Sequence, residues 1–408
     1  MLNQTNSKIQ NQDKLETLNI QKSDKIGILD IELSKLIYEN TPESNDKLRK
    51  CVALRKDLNI LRASDNNPLL HYALLQQNYE ACVILLENNV YIEELGNEGI
   101  AFANSPLKVA TTIPDPRFMD LLIQYKANIN EREYQQQETP LAFAINYCQF
   151  ENAKRLIKYG ANVNLCDYNG QSAIFRAIEI GNPQMVYDLI ENGANIEIQD
   201  KKGQNLLHYN MIESNFKQYK VDDSLYVPGD EITEMLIYYG CYTDIPDESG
   251  KRPLHYAIQH CRKKSAKMLI LNDVDVNAQD EYLFTPLHLS VYNKDISSTA
   301  LLLSHKANPN LQDKFGNTPL HYAAQINSLP LIRLLLKFGA VQTIENHDYL
   351  TPLDLTTNQQ SIDLLAFPMY GQDFETLYQK ASEDKKKIAF KHYLTAQHYQ
   401  KMNHRNKE

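Results

Sequence analysis

Eleven histidines are the residues of this 408-residue chain with the widest chemical repertoire, since imidazole binds metals and exchanges protons near neutral pH. Five of them occupy the same slot of a short recurring motif: His71, His208, His255, His288 and His321. One histidine per copy of a motif indicates a repeated structural hydrogen bond rather than one shared site. His392, His398 and His404 are six residues apart, which turns successive rings to different sides of a helix. We therefore predict no metal site.

The six cysteines give no sign of reactive or metal-binding chemistry. They are scattered singly, without the spacing of a zinc site or a disulfide framework, and are interpreted as free thiols in a reducing compartment. His260 precedes Cys261, but neighbouring side chains on a helix point in different directions, so no catalytic dyad is predicted. The acidic stretch 222–231 lacks the ligand pattern of a calcium loop and predicts a flexible acidic loop.

No motif of catalysis or cofactor binding occurs in the chain, which contains no P-loop, G-x-G-x-x-G, G-x-S-x-G or H-E-x-x-H. We therefore expect no catalytic residue, no cofactor and no enzyme activity. An enzyme hidden in the flanking segments is the alternative. Residues 1–64 and 357–408 are too short for an independent catalytic core.

Charge is unevenly distributed along the chain. The net charge is −9, which does not favour nucleic-acid binding. Residues 1–64 carry +2 and residues 385–408 carry +6, so residues 65–384 carry −17. The basic tail could contact an anionic membrane, but it lacks a wide apolar face. We expect it to form a solvated helix against the acidic body.

The start of the chain lacks the basic and apolar regions of a Sec signal, and no run approaches the 18 or so apolar residues of a membrane span. We expect a cytoplasmic, monomeric protein.

The element that positions the motif histidines recurs at a nearly fixed spacing. The string TPLHYA begins at Thr318, and related strings begin at Pro68, Ser105, Thr139, Ser172, Asn205, Arg252, Thr285 and Thr351. Five of the eight intervals are 33 residues, whereas the interval after Asn205 is 47. The spacing predicts about nine repeats, with an insertion near 212–230, instead of two or three globular domains.

The copy from Asp313 to Thr343 predicts how each repeat folds. Thr318 and Pro319 are a good N-cap and first residue for a short helix. Apolar residues at helical spacing then predict a second helix, which Gly339 ends by adopting positive φ. Turn residues precede Thr318 and form the connection between repeats.

This pattern resembles the ankyrin-repeat family, whose 33-residue unit has T-P-L-H-x-A as a hallmark. A second hallmark, G-A-x-x-N, appears as GANVN, GANIE, KANIN and KANPN, beginning at Gly160, Gly193, Lys126 and Lys306. The resemblance covers about residues 65–356. It implies an all-α solenoid in which each repeat is a β-turn finger followed by two antiparallel helices. The motif histidine would link neighbouring fingers.

The flanks complete the predicted domain organisation. We predict a disordered segment at 1–24, a helical N-terminal cap at 25–64 broken near Asn40 to Pro42, and a cap with a basic helical tail at 357–408.

The resemblance also implies a non-enzymatic scaffold that binds a protein partner. In the family, finger tips and the ends of the first helices form a concave binding face. The corresponding residues are Tyr147, Tyr168, Asn169, Glu179, Lys201, Lys202, His260, Tyr282, Tyr292, Lys314, Phe315 and Gln325. Exposed aromatic residues are frequent interface anchors. The alternative is that individual rings lie along their own fingers.

A second functional alternative comes from composition. The chain is rich in Asn, Lys, Ile and Tyr and has no Trp, as in proteins from AT-rich genomes, and in this it is similar to ankyrin proteins of intracellular bacteria. It would then be an effector translocated into a host cell without a Sec signal, with a secretion signal in the tail.

Overall fold

The computed structural model describes residues 31–366 except 54, 56–57, 60–62, 64–66, 94–103, 133–135 and 213–227. The segment predicted to be disordered, most of the insertion and the basic tail therefore lie outside the described residues. Within them the chain is helical, and its strand-like pairing is confined to isolated bridges such as that between Gln199 and Asn205. The all-α prediction is confirmed. No helix in this described part is long and apolar enough to cross a membrane.

Among the described residues, nine helix pairs follow two N-terminal helices, α1 at 31–39 and α2 at Pro42–Ala53. The first helices of the pairs are α3 Leu69–Leu75, α5 Pro106–Thr112, α7 Pro140–Asn146, α9 Ala173–Ile180, α11 Leu206–Met211, α13 Pro253–Gln259, α15 Pro286–Tyr292, α17 Pro319–Gln325 and α19 Pro352–Leu355. The second helices are α4 Tyr79–Glu87, α6 Arg117–Gln124, α8 Phe150–Lys158, α10 Pro183–Glu191, α12 Pro228–Tyr238, α14 Lys263–Ile270, α16 Ile296–Ser304, α18 Leu329–Lys337 and α20 Gln359–Ala366.

The chain divides into two compact units. The first comprises Met1–Ala177 with Asp188–Ala194, and the second comprises Ile178–Tyr187 with Asn195–Glu408. In the described part of the first unit, α3, α5 and α7 pack in sequence, and α4 packs on α6. In the second unit, α11, α13, α15, α17 and α19 form one row, and α12, α14, α16, α18 and α20 form another. Each unit is therefore built from two helical layers.

The first helices are short and lie close together because small residues face their neighbours. In α17, Leu320, Ala323 and Ala324 are completely buried. Leu331 and Leu335 of α18 are equally buried and pack against them as the second layer. Burial of such side chains stabilises the fold by about 1.5–3 kcal/mol for each large aliphatic residue.

The predicted helix ends are present where the chain carries glycine. Gly339 has φ +89°, and the following amide, of Ala340, donates to the carbonyl of Leu335 at 3.0 Å. This hydrogen bond closes α18 in the Schellman arrangement. Lys126 and Lys306 take the same left-handed conformation in repeats that lack the glycine.

The turn between the two helices of a repeat is three residues long in the repeats of α13, α15 and α17. In the repeat of α11 and α12, Met211 and Pro228 instead lie at the two ends of a 16-residue connection. The insertion predicted near 212–230 thus falls between the two helices of one repeat. It leaves the finger before α11 unchanged.

Candidate functional site

The fingers before α9, α11, α13, α15, α17 and α19 are tight turns, each organised by its first residue. In the finger before α17, Asp313 Oδ1 accepts hydrogen bonds from the amides of Phe315 and Asn317 at 2.8 and 2.9 Å. The Asp313 carbonyl accepts from the amide of Gly316 at 2.9 Å. The same side-chain hydrogen bonds recur at Asp167, Asp200, Asp247, Asp280 and Asn346. The finger is therefore rigid before any partner binds.

The other carboxylate oxygen fixes the finger to the helix that follows it. The hydroxyl of Tyr322 in α17 donates to Asp313 Oδ2 at 2.5 Å. The equivalent pairs in the second unit are Tyr209 with Asp200 and Tyr256 with Asp247, at 2.9 and 2.7 Å. Burial, followed by these hydrogen bonds to carboxylates, raises the pKa of Tyr256 and Tyr322 well above the ordinary value. In the first unit, Arg176 takes this role on Asp167 at 2.8 Å.

The motif histidines connect successive fingers, as the resemblance implied. His288 Nδ1 accepts from the amide and the hydroxyl of Thr285, at 3.2 and 2.8 Å. Its Nε2 is therefore the protonated nitrogen, and it donates to the carbonyl of Asn317 in the next finger at 3.2 Å. His208, His255 and His321 make the same contact with Lys251, Phe284 and Leu350. The repeated structural role is confirmed.

These imidazoles are poor candidates for acid–base chemistry. Burial lowers the pKa of His288 to about 4 and also lowers the pKa values of His208, His255 and His321. All four are neutral at pH 7. For His255, His288 and His321, the backbone amide three positions earlier, of Arg252, Thr285 or Thr318, donates to Nδ1, which leaves Nε2 as the protonated nitrogen.

Thiol and metal chemistry receive no support from the described residues. Burial raises the pKa of Cys241 to about 12 and raises that of Cys82 further, so both thiols stay protonated. In the described ranges, no three His, Cys, Asp or Glu side chains come together as metal ligands would.

Backbone hydrogen bonds join neighbouring finger tips in a row. In the second unit, the amides of Glu248, Glu281, Lys314 and His347 donate to the carbonyls of Lys202, Ser249, Tyr282 and Phe315, at 2.9 to 3.0 Å. In the first unit, Tyr168 donates to Gln136 at 2.8 Å. The fingers approach so closely that a Cβ at Gly316 would lie 2.8 Å from the nitrogen of His347. We call the five linked fingers of the second unit, at 200–205, 247–252, 280–285, 313–318 and 346–351, the finger row.

The residues predicted to bind a partner fall in both units. In the first unit, Tyr147, Tyr168 and Asn169 are exposed. In the second unit, Lys201, Lys202, Tyr282, Lys314 and Phe315 are exposed at finger tips, and Tyr292 and Gln325 are exposed at ends of first helices. His260 and Glu179 are half-buried.

Several of the aromatic rings are held in place by neighbouring repeats. Tyr292 at the end of α15 is 63% exposed, and its ring contacts that of Tyr322 edge-on at 6.4 Å. The Lys314 ammonium lies 5.5 Å from the Tyr282 ring centre, on the adjacent finger. These rings are therefore supported across repeats, unlike rings that lie only along their own fingers. Tyr147 in the first unit packs on Phe143 of its own helix at 4.7 Å.

Two residues of this surface were missed from the sequence. The fourth position of the finger is Gly203, Gly250 or Gly316 in three repeats of the second unit, each with positive φ. Leu283 and Tyr349 occupy the same position with φ +58° and +59°, and they are 43% and 82% exposed. A left-handed conformation costs a non-glycine residue about 1–2 kcal/mol. The missing glycine was the available signal, because strain of this kind accumulates at functional positions.

In three repeats, the asparagine of the second hallmark position links one repeat to the next. Asn310 Oδ1 accepts from the amide of Val341 in the next repeat at 2.7 Å, and Asn277 Oδ1 accepts from Asn308 at 2.7 Å. In the first unit, Asn130 accepts from Asn162 at 2.8 Å. The repeats of α13 and α15 are each joined to the next by a finger, a histidine and this asparagine.

Comparison with known families and proteins agrees with this anatomy. Models described as ankyrin repeats match residues 70–167, 107–200, 254–303 and 287–376. Human inversin is 26% identical over 189 residues, which cover 40% of this chain and 18% of inversin. A putative ankyrin repeat protein of Acanthamoeba polyphaga mimivirus is 31% identical over 28% of this chain and 14% of its own length. Human ankyrin repeat and SOCS box protein 6 is 28% identical over 24% of this chain and 25% of its own length. The matched segments thus span a quarter or less of these relatives.

Proposed function

Because the chain belongs to the ankyrin-repeat family, we propose that it is a protein-binding scaffold whose partner lies along the finger tips and the ends of the first helices. Ankyrin repeats imply a protein-interaction role, and the family is typically without catalytic activity. On this proposal, the chain binds its partner on a preformed surface and catalyses no reaction. Rigid binding surfaces lose little conformational entropy on association.

The observation that carries this proposal is the combination of rigidity and apolar exposure on the finger row. Its tips are linked by backbone hydrogen bonds, yet Tyr282, Leu283, Phe315 and Tyr349 leave large parts of their side chains in water. Apolar and aromatic groups supported in this way are typical anchors of interfaces. Strain at Leu283 and Tyr349 supports the same interpretation, since a glycine would fold at lower cost there.

The test begins with affinity capture of the partner on the full chain. Tyr168, Tyr282 and Phe315 are then replaced together by alanine. We expect affinity to fall by about a hundredfold or more, because anchor residues commonly contribute 2 kcal/mol or more each. A matched control replaces three exposed aromatic residues at the ends of second helices: Tyr125, Tyr238 and Phe338.

The control should retain binding, and both variants should keep the wild-type circular dichroism. Equal binding by the two triple variants, with both folded, would contradict the assignment of the finger face.

A translocated effector acting through the same surface is the second candidate. Its support is the Asn-, Lys- and Ile-rich, tryptophan-free composition, whereas the relatives reported above are animal and viral proteins. A reporter fused to residues 357–408 and expressed in a bacterium with a translocation system would test it. Absence of the reporter from the host cytosol would count against the effector role.

A further inference from the structure

A cleft in the second unit lies at the end of α13 opposite its finger. It has a volume of about 570 Å³ and is bordered by the first turn of α12, the end of α13 and the start of α14. Its lining includes Arg262, Lys263 and Lys264 against one carboxylate, that of Asp230. A site with this excess of cations is unusual in a chain whose net charge is −9.

The walls of the cleft are fixed by the turn between α13 and α14. Cys261 adopts φ +55°, and the amide of Arg262 donates to the carbonyl of Ala257 at 2.7 Å. His260 stacks on Tyr256, with ring centres 6.4 Å apart and planes within 7° of parallel. The hydroxyl of Tyr256 is bonded to the finger residue Asp247. The same face of α13 therefore runs from the finger to the cleft.

The acidic groups near the cleft already have partners. Asp230 accepts a hydrogen bond from the hydroxyl of Ser265 at 2.8 Å. Asp295, on the neighbouring repeat, lies 3.2 Å from the Lys263 ammonium. The side chain of Lys263 nevertheless remains 56% exposed, and Lys264 is exposed beside it. An incoming anion would meet two ammonium groups at the mouth of the cleft.

We infer that this cleft receives an acidic segment of the protein partner, whose carboxylates pair with Lys263 and Lys264. The inference rests on the proposed function, because it assigns a charge to one part of the same partner. His260 and Tyr256 connect the cleft to the finger that carries Asp247. A protein segment bound along the finger could therefore extend into the cleft, which a small free anion would not do. Opposite charges across an interface increase the association rate and orient the partner.

The experiment uses the full chain and a fluorescein-labelled hexaglutamate peptide, with hexaglutamine as the uncharged control peptide. Binding is measured by fluorescence anisotropy. Occupancy of the cleft is measured by the rate at which N-ethylmaleimide modifies Cys261, the exposed member of the six cysteines, as located by mass spectrometry. We expect hexaglutamate, and not hexaglutamine, to bind and to slow modification of Cys261.

The decisive variant is Lys264→Glu, and its matched control is Lys337→Glu, an equally exposed lysine on α18. Both change the net charge by the same amount. We expect Lys264→Glu to weaken hexaglutamate binding by about tenfold and to abolish protection of Cys261, whereas the control changes affinity less than about twofold. Equal effects of the two variants would overturn the inference, as would protection of Cys261 by inorganic phosphate and not by the peptide.

Failure of this inference is distinguishable from failure of the proposed function. The triple alanine variant of the finger face should bind hexaglutamate as the wild type does. Loss of partner capture in that variant, with no effect of Lys264→Glu on peptide or partner, would overturn only the cleft. If the triple variant still binds the partner, and Lys264→Glu weakens hexaglutamate binding as expected, only the assignment of the finger face would be overturned.

Discussion

At the scale of single residues, the finger aspartate joins a turn to a helix. One carboxylate oxygen of Asp313 closes the finger, and the other accepts the hydroxyl of Tyr322, nine residues later. A single side chain thereby links the finger to the helix that follows it. Buried carboxylates need such partners, because an unsatisfied charged group is costly to remove from water.

Replacing Tyr322 by phenylalanine tests this contribution. The ring would keep its packing, but Asp313 Oδ2 would lose its donor in a buried position. We expect the free energy of unfolding to fall by about 1–3 kcal/mol. Urea unfolding measures this change, and Tyr238→Phe, at an 82% exposed tyrosine, is the control. A loss no larger than that of the control would contradict the role assigned to the hydroxyl.

Tyr349→Gly should separate stability from binding. The substitution removes a strained left-handed conformation while giving up little buried surface, since the side chain is 82% exposed. We expect a gain of about 0.5–1 kcal/mol in the free energy of unfolding and weaker capture of the partner. Thermal unfolding and the capture assay measure the two effects. A variant that is stabilised and binds fully would show that the tyrosine is unrelated to binding.

The roles of residues that recur in the motif could be predicted from the sequence. Contacts that form only when the finger folds back on its helix could not. The recurrence of His288 and its equivalents indicated a structural role, and Gly339 indicated a helix end. The partnership of Asp313 with Tyr322 was not predicted, because it exists only once the finger folds back on its helix. The polar side chain of Arg176 makes the same bond from a position where the motif has tyrosine, so no single residue type signals it.

At the scale of elements, the neutral histidines make the contacts between repeats sensitive to acid. His288, His255 and His321 each donate through Nε2 to a carbonyl of the next finger. Each accepts at Nδ1 the backbone amide three residues earlier. Protonation of Nδ1 would remove the acceptor of the helix-capping amide. It would also place a charge in a buried position.

We expect stability to be lost on acidification. The folded-state pKa of His288 is about 4, below the ordinary value of about 6.5, so its contribution is complete above pH 6.5 and is lost as the pH falls towards 4. This residue alone accounts for about 3 kcal/mol across that window. Urea unfolding at successive pH values measures the slope.

His288→Gln identifies the residue responsible for part of that slope. The variant is less stable at pH 7, but its unfolding free energy should depend on pH by about one proton less between pH 6.5 and 4. The control is His305→Gln, which removes an exposed imidazole that hydrogen-bonds within its own repeat. An unchanged slope in His288→Gln would contradict the assignment.

Helix starts were the most predictable elements. Thr285 and Thr318 precede proline and histidine, and α15 and α17 begin directly after them. An N-cap hydroxyl usually accepts an amide of the first helical turn. The hydroxyl of Thr318 instead contacts His321 Nδ1 at 2.8 Å. With Nε2 protonated, the hydroxyl donates there. The exposure of the candidate surface residues, and the contacts that hold their aromatic rings, could not be predicted. Both depend on side chains of neighbouring repeats.

At the scale of the whole molecule, the acidic body is the dominant electrostatic feature. Residues 65–384 carry −17, although the complete chain carries −9. Like charges at this density repel one another in the folded state. The cationic groups at the α13–α14 turn are therefore a local exception. An acidic partner would be attracted to them and repelled by the rest of the acidic body.

Screening should stabilise the molecule. We expect the midpoint of thermal unfolding to rise when NaCl is increased from about 20 mM to about 200 mM, since the screening length falls below the spacing of most surface charges. Differential scanning calorimetry measures the shift. A falling midpoint would mean that ion pairs such as Arg49 with Glu80 and Glu87 outweigh the repulsion.

The long connection between α11 and α12 has a practical consequence. It joins the end of α11 to the start of α12, and Lys202 in the finger before α11 still accepts the amide of Glu248 from the next finger. This connection is therefore a suitable position for grafting foreign peptides or fluorescent domains, whereas the turn at 293–295 directly follows Tyr292 of the candidate surface. The 16-residue connection shows that extra residues are accommodated between the two helices of a repeat.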